Sequence, residues 1–267
     1  MKIKRKIGLI GVGNMGAAIL EGLFQKGMAS PHQVWVHDQF KTKVSNFSKK
    51  WGVHTSRSIQ ELVKAVDVVL LAIKPQDIET AGRELKEAAH PRMLISILAG
   101  TPISKIKRYA GRHFDYVRAM PNLGAKVGES LTAITGSNAM ALRFAEKIFL
   151  GCGKVVRLNE RHFDLVTALS GSGPAYFFLM MELLADFGRK SGLGKSQAEL
   201  LAVQTAVGAS LLARSSSVSP SDLRAMVTSK KGTTEAALKT LAAGGFSNLF
   251  YRALGAAWKR GRALSRS

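Results

Sequence analysis

Cysteine is almost missing from this chain: Cys152, set between Gly151 and Gly153, is the one thiol in 267 residues. A lone cysteine excludes an internal disulfide and any cysteine-cluster metal site, and its glycine neighbours read as a turn. The six histidines, His32, His37, His54, His90, His113 and His162, do not fill the gap, because none has the H-x-H or paired spacing of a metal site. No structural metal is expected. Acidic residues are scarce as well, 18 against 39 Lys and Arg, which leaves a formal net charge of +21. Long apolar runs are absent too. The best candidates, Ala175 to Met181 and Leu200 to Ala213, are short or broken by Gln204, Thr205 and Ser210, well below the roughly 20 residues that span a bilayer. No membrane partner is expected. The basic start runs straight into a strand pattern instead of a signal-peptide core, so the expected location is cytoplasmic.

The excess of positive charge invites a nucleic-acid reading, since clustered Lys and Arg neutralise phosphates. Here the cations are dispersed over Lys2 to Lys6, Lys41 to Lys50, Lys105 to Arg112 and Lys259 to Arg266. No helix-turn-helix, zinc finger or aromatic-basic RNA motif accompanies them. They read as a solvated surface without a nucleic-acid partner, one that also steers small anionic ligands.

What the chain does have is 46% hydrophobic residues, enough for real cores, arranged in two styles. Residues 1–160 alternate strand-like and helix-like segments, the pattern of a parallel sheet with helices on both faces. Strands are predicted at Lys6 to Ile10, Val34 to His37, Val66 to Ile73, Met93 to Leu98, Tyr116 to Ala119, Leu131 to Ile134 and Val155 to Leu158. Helices are predicted at Asn14 to Gln25, with Gly27 as its stop, at Lys41 to Lys50 and at Ala139 to Phe149. Val66 to Ile73 is nearly all apolar, as a central strand covered on both faces requires. Residues 161–267 lose the strand pattern and turn helical, with candidates starting at Pro174, Gln197, Pro220, Thr234 and Phe246. The fold class is therefore α/β: an N-terminal doubly wound sheet of Rossmann type followed by an all-α C-terminal domain. The first two C-terminal helices carry more apolar surface than one small bundle can bury, and a homodimer interface is the simplest explanation.

Gly11-Val12-Gly13-Asn14-Met15-Gly16 follows the first strand and opens the first helix, as a dinucleotide fingerprint does. Gly11 allows the tight turn, Gly13 lets a pyrophosphate approach the main chain, and Gly16 allows close helix–strand contact. Asn14 and Met15 supply the helix start. Asp38, at the end of the second strand, suits the free ribose hydroxyls of NADH and repels the 2′-phosphate of NADPH. Lys41 and Lys43 can reach round to that phosphate, and Asp38 can also be read as a turn residue capping the next helix, so the choice between NADPH and NADH stays open with a lean towards NADH. Ala72, Lys74-Pro75 and Met120-Pro121-Asn122 end strands on the same edge, where each X-Pro step fixes extended backbone that can face the cofactor.

The stretch Ser170-Gly171-Ser172-Gly173-Pro174-Ala175-Tyr176 opens an apolar helix with a glycine turn and contains no acid, base or thiol. Pro174 fits the first helical turn, and free backbone donors there attract anions; the other reading is a tight turn between packed helices. With Thr167-Ala168-Leu169 before it, this stretch resembles the most specific motif of the pyrroline-5-carboxylate reductase family. Val227-Thr228-Ser229-Lys230-Lys231-Gly232-Thr233-Thr234 is similar to that family's VTSPGGTT, and Gly244-Gly245-Phe246 stands where a GGF is usual. Leu71-Ala72-Ile73-Lys74-Pro75-Gln76 and Arg118-Ala119-Met120-Pro121-Asn122 fit two more segments, so the resemblance spans the chain.

The resemblance implies reduction of 1-pyrroline-5-carboxylate, a small cyclic imine carboxylate, to L-proline by hydride transfer from NADPH or NADH. It also implies an interlocked helical homodimer, which some members assemble into a ring. Such a substrate brings its own proton, so the site needs positioning and one mild hydrogen-bond partner. Thr234 is the expected catalytic residue at the imine nitrogen, while Ser172, Gly173, Lys231, Gly232 and Thr233 line the substrate, with consecutive backbone N–H groups for its carboxylate. Thr233 or Thr234 can instead be a plain helix cap. Phe177 and Phe178 occupy the place where β-hydroxyacid dehydrogenases keep a lysine, which argues against oxidation of a hydroxy acid. Two departures stand out: the usual MPNTP reads Met120-Pro121-Asn122-Leu123-Gly124, and Lys231 replaces a common glycine. They keep two alternatives in play, a reductase of a related cyclic imine and a non-catalytic nucleotide-binding relative.

Overall fold

Short apolar segments pair into a single eight-stranded sheet in the computed structural model, which describes residues 2–87 and 93–266. His90 lies outside the described residues. In chain order, β1 (Ile7–Ile10) leads to α1 (Asn14–Gln25), β2 (Val34–His37) to α2 (Lys41–Trp51) and β3 (His54–Thr55) to α3 (Ile59–Ala65). Then come β4 (Val68–Leu71), α4 (Ile78–Lys86), β5 (Met93–Ser96), α5 (Ile103–Ala110), β6 (Asp115–Met120), β7 (Ser130–Gly136), α6 (Ala139–Leu150) and β8 (Gly153–Arg157). The strands lie in the order β3-β2-β1-β4-β5-β6-β7-β8. The direction of winding therefore reverses between β1 and β4, the switch point at which α/β sheets hold ligands.

All neighbouring strands are parallel except β6 and β7, which run antiparallel. The alternating pattern implied a parallel sheet, and the link explains the exception. A parallel crossover needs about a dozen residues, usually with a helix, whereas residues 121–129 hold only a 3₁₀ turn, Leu123–Val127.

Period-two side chains sort the core onto two faces. Ile7, Leu9, Val34, Val36, Val68, Leu70 and Ile95 pack with Ile19, Leu20 and Leu23 of α1 and Ile148 and Phe149 of α6. Ile10, Val69, Leu71 and Leu94 pack with Leu62 of α3, Leu85 of α4 and Ile106 of α5. Every side chain of β4 is buried, as its apolar run required. Cys152 sits in the turn before β8, fully buried, and that burial pushes its thiol up to about 11.

After β8 the chain is helical: α7 (Phe163–Val166), α8 (Gly173–Lys190), α9 (Lys195–Ser215), α10 (Pro220–Met226), α11 (Thr233–Ala243) and α12 (Phe246–Arg266). Packing divides the protein into two compact units. One holds the sheet and runs through Ser172, with Ala257 onward added to it; the other is Gly173–Ala256.

The sheet unit extends beyond residue 160 because Arg118 of β6 draws the following segment in. Arg118 is 3% exposed, lies 3.3 Å from Glu160 and 4.0 Å from Asp164, and stacks over the Phe163 ring. Burial pulls the guanidinium below its usual range, and Glu160 opposes that effect. Glu160 also accepts the Ile103 N–H at 2.8 Å, and Asp164 accepts the Ser265 hydroxyl at 2.6 Å, which ties the end of α12 to the same cluster.

In the other unit Ala185, Ala198 and Ala202 bury together where α8 meets α9. Small side chains allow that approach and leave the large ones outside: Phe187 is 74% exposed, Leu200 66% and Phe177 63%. Among the described residues no helix is long and apolar enough to cross a membrane.

The Arg118 cluster gives a stability prediction. Glu160→Ala removes the nearest carboxylate from a buried guanidinium and is expected to destabilise the protein by about 3 kcal/mol. Denaturant unfolding of the variant checks this, and a change under about 0.5 kcal/mol would show that Asp164 alone suffices.

Candidate active site

The loop between β1 and α1 is built from three glycines with three separate reasons. Gly11 has φ +98°, and a Cβ there would stand 2.5 Å from the Ala72 carbonyl oxygen, so the main chains of two neighbouring strand ends touch. A Cβ at Gly16 would collide with the carbonyl oxygen of Gly11, so α1 starts flush against the strand end. At Gly13 a Cβ would meet nothing within 4 Å. That open side is where a ligand can reach the backbone.

Gly13 is also the N-cap of α1, without a side-chain cap and without an acid in the first turn. Asn14, Met15 and Gly16 thus present uncapped N–H groups at the positive end of a twelve-residue helix. These features fit the pyrophosphate of a dinucleotide, and the loop's own residues would hold it.

Of the two roles its sequence position suggested, the structure excludes the helix cap for Asp38, which bonds the chain on either side of it instead. One carboxylate oxygen accepts the Val12 N–H at 2.7 Å and the other accepts the Phe40 N–H at 2.9 Å. It does not cap α2, whose N-cap is Phe40 with no side-chain bond. It stitches the end of β2 to the glycine loop, and each oxygen keeps a lone pair for a ribose hydroxyl. Gly11, Gly13, Asp38, Lys43, Ala72 and Lys74 line one cavity of about 260 Å³ at this edge. Lys43 lies over the exposed Phe40 ring at 4.6 Å, so a cation and a carboxylate share the same pocket wall. Pro75 follows Lys74 into a 3₁₀ turn that leads into α4.

Met120 and Asn122 end β6 on the same edge of the sheet. Asn122 is the best-connected polar group there: its N–H donates to Ser130 Oγ at 3.1 Å, its Oδ1 accepts from Gly124 N–H at 3.0 Å, and its Nδ2 donates to Ser170 Oγ at 3.0 Å. Ser170 belongs to a π turn, Thr167–Gly171, closed by Ser172 N–H to Thr167 O at 2.8 Å. The Met120 methyl carbon packs onto Gly171, where a Cβ would lie 2.5 Å from it and push that side chain away. Periodicity gave no sign of the π turn. Lys126 was also missed: its ammonium is 3.5 Å from Asn14 Oδ1, beside the α1 terminus. Its local sequence carries no motif, and only the folding of the 3₁₀ turn against α1 brings it there.

The remaining predicted residues lie in the helical unit. Gly173 is the buried first residue of α8. Gly232 is the N-cap of α11, so Thr233 and Thr234 are its first two residues and neither is a cap. A Cβ at Gly232 would meet the Ser229 hydroxyl and lie 3.0 Å from the Ser229 carbonyl oxygen, so the turn is tight there. Its N–H is used by Ser229 O at 3.0 Å, and that of Lys231 by Glu235 Oε2 at 2.7 Å. The consecutive donors available to an anion are therefore those at the start of α11, not those of Lys231 and Gly232. Lys231 has φ +61° and is the one non-glycine residue with positive φ among the described residues.

The family model described as pyrroline-5-carboxylate reductase dimerisation matches residues 160–264, and that of the coenzyme F420-dependent NADP oxidoreductases matches residues 6–100. The pyrroline-5-carboxylate reductase of Pseudomonas aeruginosa is 37% identical over 265 residues, 97% of each chain. A crystal structure of a pyrroline-5-carboxylate reductase from Coxiella burnetii has TM-score 0.90 and 36% identity, covering 99% of this chain and all of that one. A Plasmodium falciparum pyrroline carboxylate reductase, solved with NADP bound, has TM-score 0.90 and 27% identity over 99% of this chain and all of that one.

Left-handed backbone costs an L-residue about 1–2 kcal/mol, and glycine gives back about 0.4–1 kcal/mol through its freer unfolded chain. Lys231→Gly is thus expected to stabilise the protein by about 0.5–1 kcal/mol. A raised denaturation midpoint at constant denaturant slope is the readout; a lowered midpoint would mean that the lysine side chain more than offsets its backbone strain.

Proposed function

The chain belongs to the pyrroline-5-carboxylate reductase family, and from that premise we propose that it reduces 1-pyrroline-5-carboxylate to L-proline, the last step of proline formation. Residues 1–160 serve as the dinucleotide-binding domain and residues 161–267 as the dimerisation and substrate domain. The observation that carries the reading is the pairing, in one chain, of an open glycine loop at an uncapped helix start with an uncharged hydroxyl, Thr234, in the first turn of α11. The nicotinamide cofactor supplies the hydride.

The protein's own groups do the rest. Backbone N–H groups of Asn14, Met15 and Gly16 hold the pyrophosphate, and Lys126 adds a cation beside them. The ends of β4 and β6, at Ala72, Lys74, Pro75, Met120 and Asn122, position the reactive ring. The N–H groups at the start of α11 and the Lys231 ammonium attract the substrate carboxylate. Ser172 and Gly173 supply an uncharged wall. Thr234 keeps a hydroxyl at the ring nitrogen, where a pre-protonated imine becomes a secondary amine without any strong acid on the enzyme.

Asp38 places a negative charge in the cofactor pocket, which supports NADH over NADPH; Lys43 on the same wall reduces the margin. The exposed side chains of α8 and α9 support a homodimer, and a ring of dimers is part of the same reading, as is a cytoplasmic location. Leu123, 39% exposed, and the strained Lys231 favour one second reading, a related cyclic imine as substrate.

Steady-state turnover of the purified protein with 1-pyrroline-5-carboxylate is the direct test, and Thr234→Ala is expected to lower kcat/KM at least about tenfold, the order of one lost hydrogen bond in the transition state. No turnover despite cofactor binding would sink the reading. A parallel comparison of NADH and NADPH tests Asp38: Asp38→Asn is expected to shift the ratio of their kcat/KM values about tenfold towards NADPH, the order of one charge contact. An unchanged ratio would remove Asp38 from cofactor choice.

A further inference from the structure

The hydrogen bonds around Asn122 fix a direction that the sequence does not reveal. A backbone N–H only donates, so the Asn122 atom 3.0 Å from the Gly124 nitrogen is the amide oxygen. The amide nitrogen then faces Ser170 Oγ at 3.0 Å, and it too only donates. Ser170 is therefore the acceptor in that pair, and its own proton has to go elsewhere. Thr167, one turn earlier, sends its proton back to Phe163 O at 2.8 Å. Among the hydrogen bonds of the described residues Ser170 has no such acceptor.

Both ends of the pair are held. Asn122 is anchored by the hydroxyl of Ser130, itself 2% exposed. Ser170 is set by the π turn and by the close seat of Met120 on Gly171. A π turn that interrupts helix is a frequent device for aiming a functional side chain. Gly124 stands where the family's usual segment has proline, which carries no N–H, so the donor that locks the amide is a feature of this chain.

We propose that Gly124, acting through Asn122, holds Ser170 as a hydrogen-bond donor towards a ligand oxygen at the end of β6, either the carboxylate of the substrate or the carboxamide of the nicotinamide. Gly124 and Asn122 are positioning residues in this scheme, and Ser170 is the group that touches the ligand. The proposal rests on the reductase reading for the identity of those ligands.

Three variants test it: Ser170→Ala, Ser170→Thr and Asn122→Asp. Ser170→Ala is expected to raise either the KM for 1-pyrroline-5-carboxylate or the Kd for NADPH, read by fluorescence titration of the enzyme without substrate, about fivefold, and Ser170→Thr to restore it. The first outcome assigns the proton to the carboxylate, the second to the carboxamide. Asn122→Asp accepts from both neighbours, turns the Ser170 proton inward and is expected to give the same loss, with no further loss in the double variant with Ser170→Ala. Unchanged KM and Kd in Ser170→Ala, with wild type turning over, would overturn the proposal alone. Absence of turnover in the wild type defeats the reductase reading, and the NADPH titration still decides the role of Ser170. If Ser170→Ala does not fold, Asn122→Asp carries the test.

Discussion

Everything at the cofactor edge depends on the contact between the Gly11 backbone and the Ala72 carbonyl. The two strands that meet there, β1 and β4, are neighbours across the switch point, and their ends come so close that no Cβ fits between them. Gly16 then seats α1 on the same spot, so the axis of the helix and the direction of its free N–H groups follow from two main-chain approaches. A set of helix-start donors held this way is rigid before any ligand arrives, and little ordering entropy is left for binding to offset. Asp38 completes the frame by holding the Val12 N–H, so the carboxylate that follows β2 is a structural bond of the loop. The carboxylate to which the proposed function assigns cofactor choice is the same one that fixes the loop.

The scarcity of acids acts locally as well as globally. Neither the first turn of α1 nor the 170–176 stretch carries a carboxylate, so nothing in these places competes with an anionic ligand. The first turn of α11 differs, since Glu235 accepts the Lys231 N–H and lies 3.3 Å from Lys239. Its charge is therefore occupied by the chain itself. A carboxylate at that turn is tolerable because cations at Lys231 and Lys239 flank it and the helix end adds positive potential.

The sequence made the frame legible wherever one physical rule dominated. The buried run of β4 and the glycine spacing before α1 each have a single structural solution, and the structure uses it, whereas the acid after β2 left two readings open and bonds to the glycine loop. Elements that depend on tertiary context were not legible. The short α3, α4 and α5, seven to nine residues each, owe their helicity to packing on the sheet, through Leu62, Leu85 and Ile106. The reversal of β7 is decided by the length of a loop. Lys126 reaches Asn14 only because that loop folds onto α1, and the π turn at residues 167–171 sits against Met120, which lies far away in the chain. Arg118 gave no hint in sequence that it would be buried beside Glu160 and Asp164.

Asn122 shows how a departure from a family pattern can be read as chemistry. Losing the proline at position 124 costs some backbone rigidity, and the bond from Glu129 N–H to Gly124 O at 2.9 Å restrains the turn in its place. A Cβ at Gly124 would lie 2.8 Å from the Glu129 carbonyl oxygen, so the close approach of the Glu129 backbone leaves little room for a side chain there. The N–H gained by the exchange is the group that orients the Asn122 amide. One substitution thus changes the covalent stiffness of the loop and its hydrogen-bond polarity together, and the second effect travels further, from β6 to the turn that precedes α8. At Lys231 the exchange goes the other way, adding a side chain where backbone strain follows. The chain departs from its family at two turns, and in each the neighbouring hydrogen bonds, Glu129 to Gly124 and Lys231 to Glu235, are arranged to hold the altered backbone.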